Sequence, residues 1–133
     1  MTSVGDRAFG NCSSLENISL PEGLENVGYQ FIMNTGITSL TVPSTVTRSG
    51  CAYVGSGYAG ATAGAMELQE VKFAEGMKKI PENFCRNGSP NSAIQRIVLP
   101  STVTEVGNSS FQNCAGLETV NFGKEVGKVG DHA

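Results

Sequence analysis

Apolar residues return along the chain at intervals of three, two, four and three, and the set occurs five times. The copies are Leu15, Ile18, Leu20, Leu24, Val27; then Ile37, Leu40, Val42, Val46, Ser49; then Leu68, Val71, Phe73, Met77, Ile80; then Ile94, Ile97, Leu99, Val103, Val106; and finally Leu117, Val120, Phe122, Val126, Val129. Only Ser49 departs from apolar character. A unit this short cannot bury its own apolar face, so the pattern predicts copies stacked on a shared core. They start at Val4, Val27, Ser49, Ile80 and Val106 and run for 23, 22, 31, 26 and 23 residues, with a sixth opening at Val129. Most of these lengths lie in the leucine-rich range, below the longer periods of paired-helix repeats. Residues 1–133 therefore read as one solenoid domain of about five turns, with insertions in the third and fourth copies.

Within each copy one short segment alternates polar and apolar positions: 17–20, 39–42, 70–73, 96–99 and 119–122. A period of two predicts a strand. Pro21, Pro43 and Pro100 follow three of these segments, and a proline has no N–H with which to continue a ladder, so the strands end there. Stacked in register, the segments predict a parallel sheet along one face.

The segments Val4-Gly-Asp-Arg-Ala-Phe-Gly-Asn-Cys-Ser-Ser-Leu-Glu-Asn-Ile-Ser-Leu-Pro and Val106-Gly-Asn-Ser-Ser-Phe-Gln-Asn-Cys-Ala-Gly-Leu-Glu-Thr-Val-Asn-Phe resemble the BspA-type leucine-rich repeat. The resemblance covers nearly the whole chain and is weakest in the third copy, where Ser49-Gly-Cys-Ala-Tyr-Val stands at the start. It implies a β-rich, right-handed solenoid with turns and short three-ten segments opposite the sheet. It also implies a cell-surface or secreted setting in host-associated bacteria or protists, with repeats that serve adhesion and protein binding.

Composition is that of an ordinary globular chain: 39% apolar, 16% charged, no tryptophan, and seventeen glycines to turn several corners per copy. The net charge of -3 and the scattered lysines and arginines give no clustered basic face, so nucleic acid is not an expected partner. No run approaches the roughly 18 apolar residues of a membrane span, and no signal segment opens the chain. Its start three residues before a repeat is the expectation for a piece excised from a longer secreted parent.

Cys12 and Cys114 hold the same position in the first and fifth copies. Four rungs at about 4.8 Å each would separate them by about 19 Å, too far for a disulfide. Both are expected in small buried slots, Cys85 in the core and Cys51 at the surface. No pair has metal-site or redox spacing, so neither a metal nor a cofactor is expected. Asn11, Asn34, Asn87 and Asn113 each lie seven residues after a copy's start, where side-chain amides can bond the backbone of adjacent turns. Several asparagines also fall in glycosylation triplets, which short serine-rich repeats generate by chance.

Gly55-Ser-Gly-Tyr-Ala-Gly60 matches the spacing of a dinucleotide fingerprint. That fingerprint functions within a strand–turn–helix unit, and here an insertion follows instead, so a loop over Gly55 to Gly64 is expected. A second insertion, Asn87 to Ala93, falls in the next copy, and stacking in register predicts that the two form one protruding edge. The single histidine, His132, lies next to the chain's last residue and supports no catalytic triad. The chain reads as a non-enzymatic binding module. Candidate partner-binding residues are Tyr53, Tyr58 and Asn87 on the insertion rim, and Glu70, Lys72 and Arg96 on the outward columns of the sheet. A protein ligand is the expected partner. The alternative is self-association, because Val4-Gly-Asp-Arg-Ala and Val129-Gly-Asp-His-Ala133 allow one copy's stack to continue into another's through uncapped ends.

Overall fold

In the computed structural model, residues 2–54, 57–87, 93–121 and 126–133 are described. Among them the strands are β1 (Ser3–Val4), β2 (Asn26–Val27), β3 (Ser39–Val42), β4 (Arg48–Ser49), β5 (Ala52–Val54) and β6 (Gly57–Ala59) in the first half. The second half holds β7 (Glu70–Phe73), β8 (Lys79–Ile80), β9 (Arg96–Val98), β10 (Glu105–Val106), β11 (Thr119–Asn121) and β12 (Lys128–Val129). The alternating segments form a parallel sheet in the order β11-β9-β7-β3, with Leu40, Val71, Ile97 and Val120 in register. Their inward side chains join one buried cluster, and from Ile37 to Val106 every apolar ruler position is buried. Each fully buried Leu, Ile or Val contributes about 1.5–3 kcal/mol, so the ruler carries the stability of the stack. In the outer copies, Leu15, Ile18, Leu20, Leu117, Val120 and Val126 are only partly buried, because each has a neighbour on one side.

Three expectations change. The first copy's 17–20 segment is not a strand. A cavity of about 230 Å³ separates it from β3, and Gly36 N–H to Leu15 O with Glu22 bonded to Ser44 hold it instead. A second parallel ladder exists at the copy starts, β1-β2-β4 and β8-β10-β12. Opposite the main sheet there are turns, and among the described residues no three-ten helix. Left-handed residues interrupt each of these turns: Arg7 and Asn11, Gln30 and Asn34, Ser109 and Asn113 all have φ between 50° and 64°. A continuous three-ten run needs right-handed dihedrals throughout.

That geometry explains Asn11, Asn34 and Asn113 better than amide bonding alone, since asparagine tolerates the left-handed region at little cost, whereas Asn87 is not left-handed. Asn34 donates to Asn11 Oδ1 at 2.9 Å and Asn113 donates to the Asn87 carbonyl at 2.9 Å. In the third copy the slot is filled by Gly64, at φ 79°, whose carbonyl accepts from Asn34 N–H. Serine and threonine next to the prolines have an equally specific use. Ser44 and Thr45 cap the Glu22-Gly23 turn of the preceding copy, and Ser101 and Thr102 cap Glu75-Gly76. This polar zipper ties the first copy to the second and the third to the fourth.

Between the starts of the third and fourth copies, β4 and β8, the start ladder opens. Elsewhere the glycine after each copy's first residue donates to the previous rung: Gly28 to Val4, Gly50 to Val27, Gly107 to Ile80, Gly130 to Val106. The fourth copy has Pro81 there, with no N–H to offer Ser49. Approach is blocked as well as bonding. A Cβ on Gly50 would lie 2.7 Å from Tyr29 N and one on Gly107 2.6 Å from Ile80 O, so a residue with a Cβ cannot sit as close as these glycines do. Consequently β4 and β8 do not pair. Ser49, the one polar residue of the ruler, stands at this opening and is half-buried, where an apolar side chain would gain little.

Candidate recognition site

The insertion in the third copy begins earlier and ends earlier than the sequence suggested. It is an antiparallel hairpin, β5-β6, not a loop over Gly55 to Gly64, and Tyr53 stands opposite Tyr58. Residues 55–56 lie outside the described set. Valine and tyrosine flanking a Gly-Ser-Gly turn favour a hairpin, and that signal was present in the sequence. From Gly60 the chain is back on the ruler: Gln30 and Phe31 donate to the carbonyls of Gly60 and Ala61, and Ala61, Thr62 and Ala63 are buried. These small residues are core because a neighbouring turn passes directly over them. A Cβ on Gly60 would overlap the Asn83 carbonyl oxygen.

Tyr53 and Tyr58 are 64% and 49% exposed, and their rings meet edge to face with centroids 5.2 Å apart. The Arg86 guanidinium stacks 4.8 Å over the Tyr58 ring. Strand pairing, ring contact and cation–π contact together hold two large apolar surfaces in one orientation. Cys51, at the base of the hairpin, is exposed as expected. Partial burial pushes its thiol above the ordinary value, and the nearby Arg86 charge and hydrogen bond offset part of that rise. Arg86 is thus the residue that links hairpin and fourth copy, and sequence reasoning missed it, since only the folded register places it against Tyr58.

Asn87 is half-buried, donates its N–H to Gln112 O and accepts from Asn113. It is a rung residue one position beyond Arg86. Residues 88–92 of the second insertion lie outside the described residues. Glu70, Lys72 and Arg96 occupy the outward columns as expected, on a separate face of the solenoid. Glu70 contacts Arg96 at 3.1 Å and Lys72 at 3.4 Å, so each charge is engaged with a neighbour.

Among the cysteines, Cys12 is exposed, not buried. Cys114 is buried and contacts the Cys85 carbonyl at 3.2 Å. Burial pushes the Cys85 thiol well above the ordinary value of 9.0, and Cys114 adds to the rise. Among the described residues no group of three or more His, Cys, Asp or Glu converges as a metal site would require. No helix there is long and apolar enough to cross a membrane.

A leucine-rich repeat protein from Bacteroides ovatus matches 98% of the chain at 20% identity with a TM-score of 0.40. A leucine rich cell surface protein from Faecalibacterium prausnitzii matches 99% at 16% identity with a TM-score of 0.36. The chain spans only 43% and 57% of those two structures. No curated protein matches it. Residues 1–54 and 58–133 match the model of the BspA type leucine rich repeat region, in six copies, and the chain belongs to that family.

Proposed function

We propose that the chain is a non-enzymatic protein-binding module of a surface or secreted protein, with adhesion as its role, and that the Tyr53–Tyr58 hairpin is its recognition rim. The observation that carries this reading is a pair of exposed aromatic rings fixed on a rigid stack whose other described aromatic side chains are largely covered. Aromatic anchors with few rotatable bonds lose little entropy on binding, and a hairpin projecting from a solenoid presents them without disturbing the core. Membership of a repeat family used for protein interaction supports the same class.

Capture of partners from extracellular matrix or from bacterial surface extract, with the immobilised chain as bait, tests it. Tyr53→Ala with Tyr58→Ala should reduce capture at least tenfold, the equivalent of about 1.4 kcal/mol, with the thermal midpoint nearly unchanged. Retained capture in the double variant moves the site to the columns of Glu70, Lys72 and Arg96. A second reading, stacking of copies end to end, is favoured by Val129, an apolar ruler residue left 59% exposed. A concentration-independent monomer mass in solution rejects it.

A further inference from the structure

The opening in the start ladder is a built slot. In every other pair of neighbouring rungs, two successive N–H groups bond one carbonyl of the rung before: Glu25 and Asn26 to Thr2, Thr47 and Arg48 to Glu25, Thr104 and Glu105 to Lys78, Gly127 and Lys128 to Thr104. Between the third and fourth rungs the equivalent bonds, from Lys78 and Lys79 to Thr47, are missing, as is the one to Ser49 that Pro81 cannot make. One wall therefore offers the carbonyls of Thr47 and Ser49, and the other offers the N–H groups of Lys78 and Lys79. The cavity between them has about 470 Å³ and is lined by Asn26, Thr47, Arg48, Ser49, Lys79, Glu82 and Asn83, a size typical of small recognition sites.

Charge selects the occupant. The outward column of this ladder runs Ser3, Asn26, Arg48, then the gap, then Lys79, Glu105 and Lys128. Beyond the gap the signs alternate, with Glu105 at 3.8 Å from Lys79 and 3.4 Å from Lys128. At the gap two cations face each other. Glu82, three residues further along the chain, reaches Lys79 at 3.9 Å, whereas among the described residues no carboxylate lies within ion-pair distance of Arg48. A negative residue is missing from the column at the very place where a strand is missing from the ladder.

We infer that the slot between Arg48–Ser49 and Lys79–Ile80 takes one extended segment of a partner protein as an added strand, with an Asp or Glu of that segment seated between Arg48 and Lys79. Its N–H groups bond the carbonyls of Thr47 and Ser49, and its carbonyls accept from Lys78 and Lys79, as in other recognition by strand addition. The inference rests on the reading of the chain as a protein-binding module but uses a different surface from the tyrosine rim.

The test uses the full, isotope-labelled chain and the peptide N-acetyl-Val-Glu-Val-amide, with its Gln counterpart and sodium acetate as controls. In the free protein the Lys78 and Lys79 amides should exchange quickly while Thr104 and Glu105 are protected. The Glu peptide should shift and protect Lys78 and Lys79, and the Gln peptide should bind roughly fivefold to tenfold more weakly. Arg48→Gln should remove that preference without altering the fold. Pro81→Gly should restore the ladder bond to Ser49, protect Lys79 in the free protein and abolish the peptide response. Lys78 and Lys79 amides already protected before addition overturn the proposal, as do equal binding of both peptides or equal shifts with acetate. Shifts that depend on protein concentration alone assign the slot to a second copy of the chain and also overturn it. Capture that still depends on Tyr53 and Tyr58 when the peptide fails leaves the rim reading standing.

Discussion

The two ladders cross the same insertion with opposite results. The main sheet runs unbroken from β3 through β7 to β9, although the hairpin separates the start of the third copy from its strand. The start ladder splits into two at that level. Extra residues alone do not break a rung, because the chain rejoins the ruler at Gly60 before β7 begins. What differs is the contact residue. In the main ladder, strand residues meet neighbours through regular extended backbone. The start ladder closes through a glycine with no room for a Cβ, and the fourth copy supplies Pro81. The turns respond to the same break: across this junction Gly60 N–H bonds Arg86 O and Thr62 N–H bonds Phe84 O, an antiparallel pattern where the other junctions keep a constant offset.

The sharpest way to break this comparison is to copy the proline elsewhere. Gly107→Pro places the same residue at the next junction, where the N–H to Ile80 O is lost and a Cβ would lie 2.6 Å from that oxygen. The expected loss is about 3 kcal/mol in urea unfolding, with loss of protection at Glu105 and Thr104. A variant as stable as the parent would mean that proline is not what opened the ladder. Next in size is Gly60→Ala, where the added methyl overlaps the Asn83 carbonyl. A backbone obstacle cannot swing aside, so about 2–3 kcal/mol should be lost. Gly5→Ala, with nothing within 4 Å of the new Cβ, serves as the control and should change stability by less than about 0.5 kcal/mol.

Much of this fold is legible in the sequence because burial at fixed intervals is a one-dimensional property. The ruler placed Leu40, Val71 and Ile97 in the core, and the polar columns emerged in the expected register. What escaped depends on which residue a given side chain meets across a junction. Cys12 and Cys114 share a sequence context, yet one is exposed and the other buried, with Cys114 packed against the Cys85 carbonyl of the fourth copy. Ala61, Thr62 and Ala63 look like linker residues and are core because the small turn packs under Phe84 and its neighbours. Arg86 against Tyr58 was invisible for the same reason. Pro81 was legible, being a proline where four other copies and the opening sixth have glycine, but its meaning required knowing that this glycine's N–H closes a rung.

The buried thiols give a pH-dependent test of the fourth and fifth copies' packing. Cys85 stays protonated in the folded chain to well above 9.0, while unfolding returns it to the ordinary range. Its folded pKa is raised, so the stabilisation is fully present below the unfolded value and is lost as pH rises from there through the folded value. Above pH 9 the unfolding free energy should fall by up to about 1.4 kcal/mol per pH unit, and Cys85→Val should flatten that slope. Thiol reagents in the native state should label Cys12 and Cys51 and spare Cys85 and Cys114 until unfolding. Native labelling of Cys85 would show that the turn over Gly60 opens readily.

The smallest effect is expected on the intact ladder's surface. Glu70 sits between Arg96 at 3.1 Å and Lys72 at 3.4 Å, with 17% of its side chain exposed against 61% and 51% for its partners. Such pairs look like fasteners across the third and fourth copies, but two of the three side chains are well solvated, and the pairing must also restrict long, mobile groups. Glu70→Gln keeps the shape and one acceptor oxygen while removing the charge, so it should cost no more than about 1 kcal/mol, less at high salt. A loss several times larger would mean that the main sheet depends on its charges to cross the insertion, and that its continuity is not a property of backbone register alone.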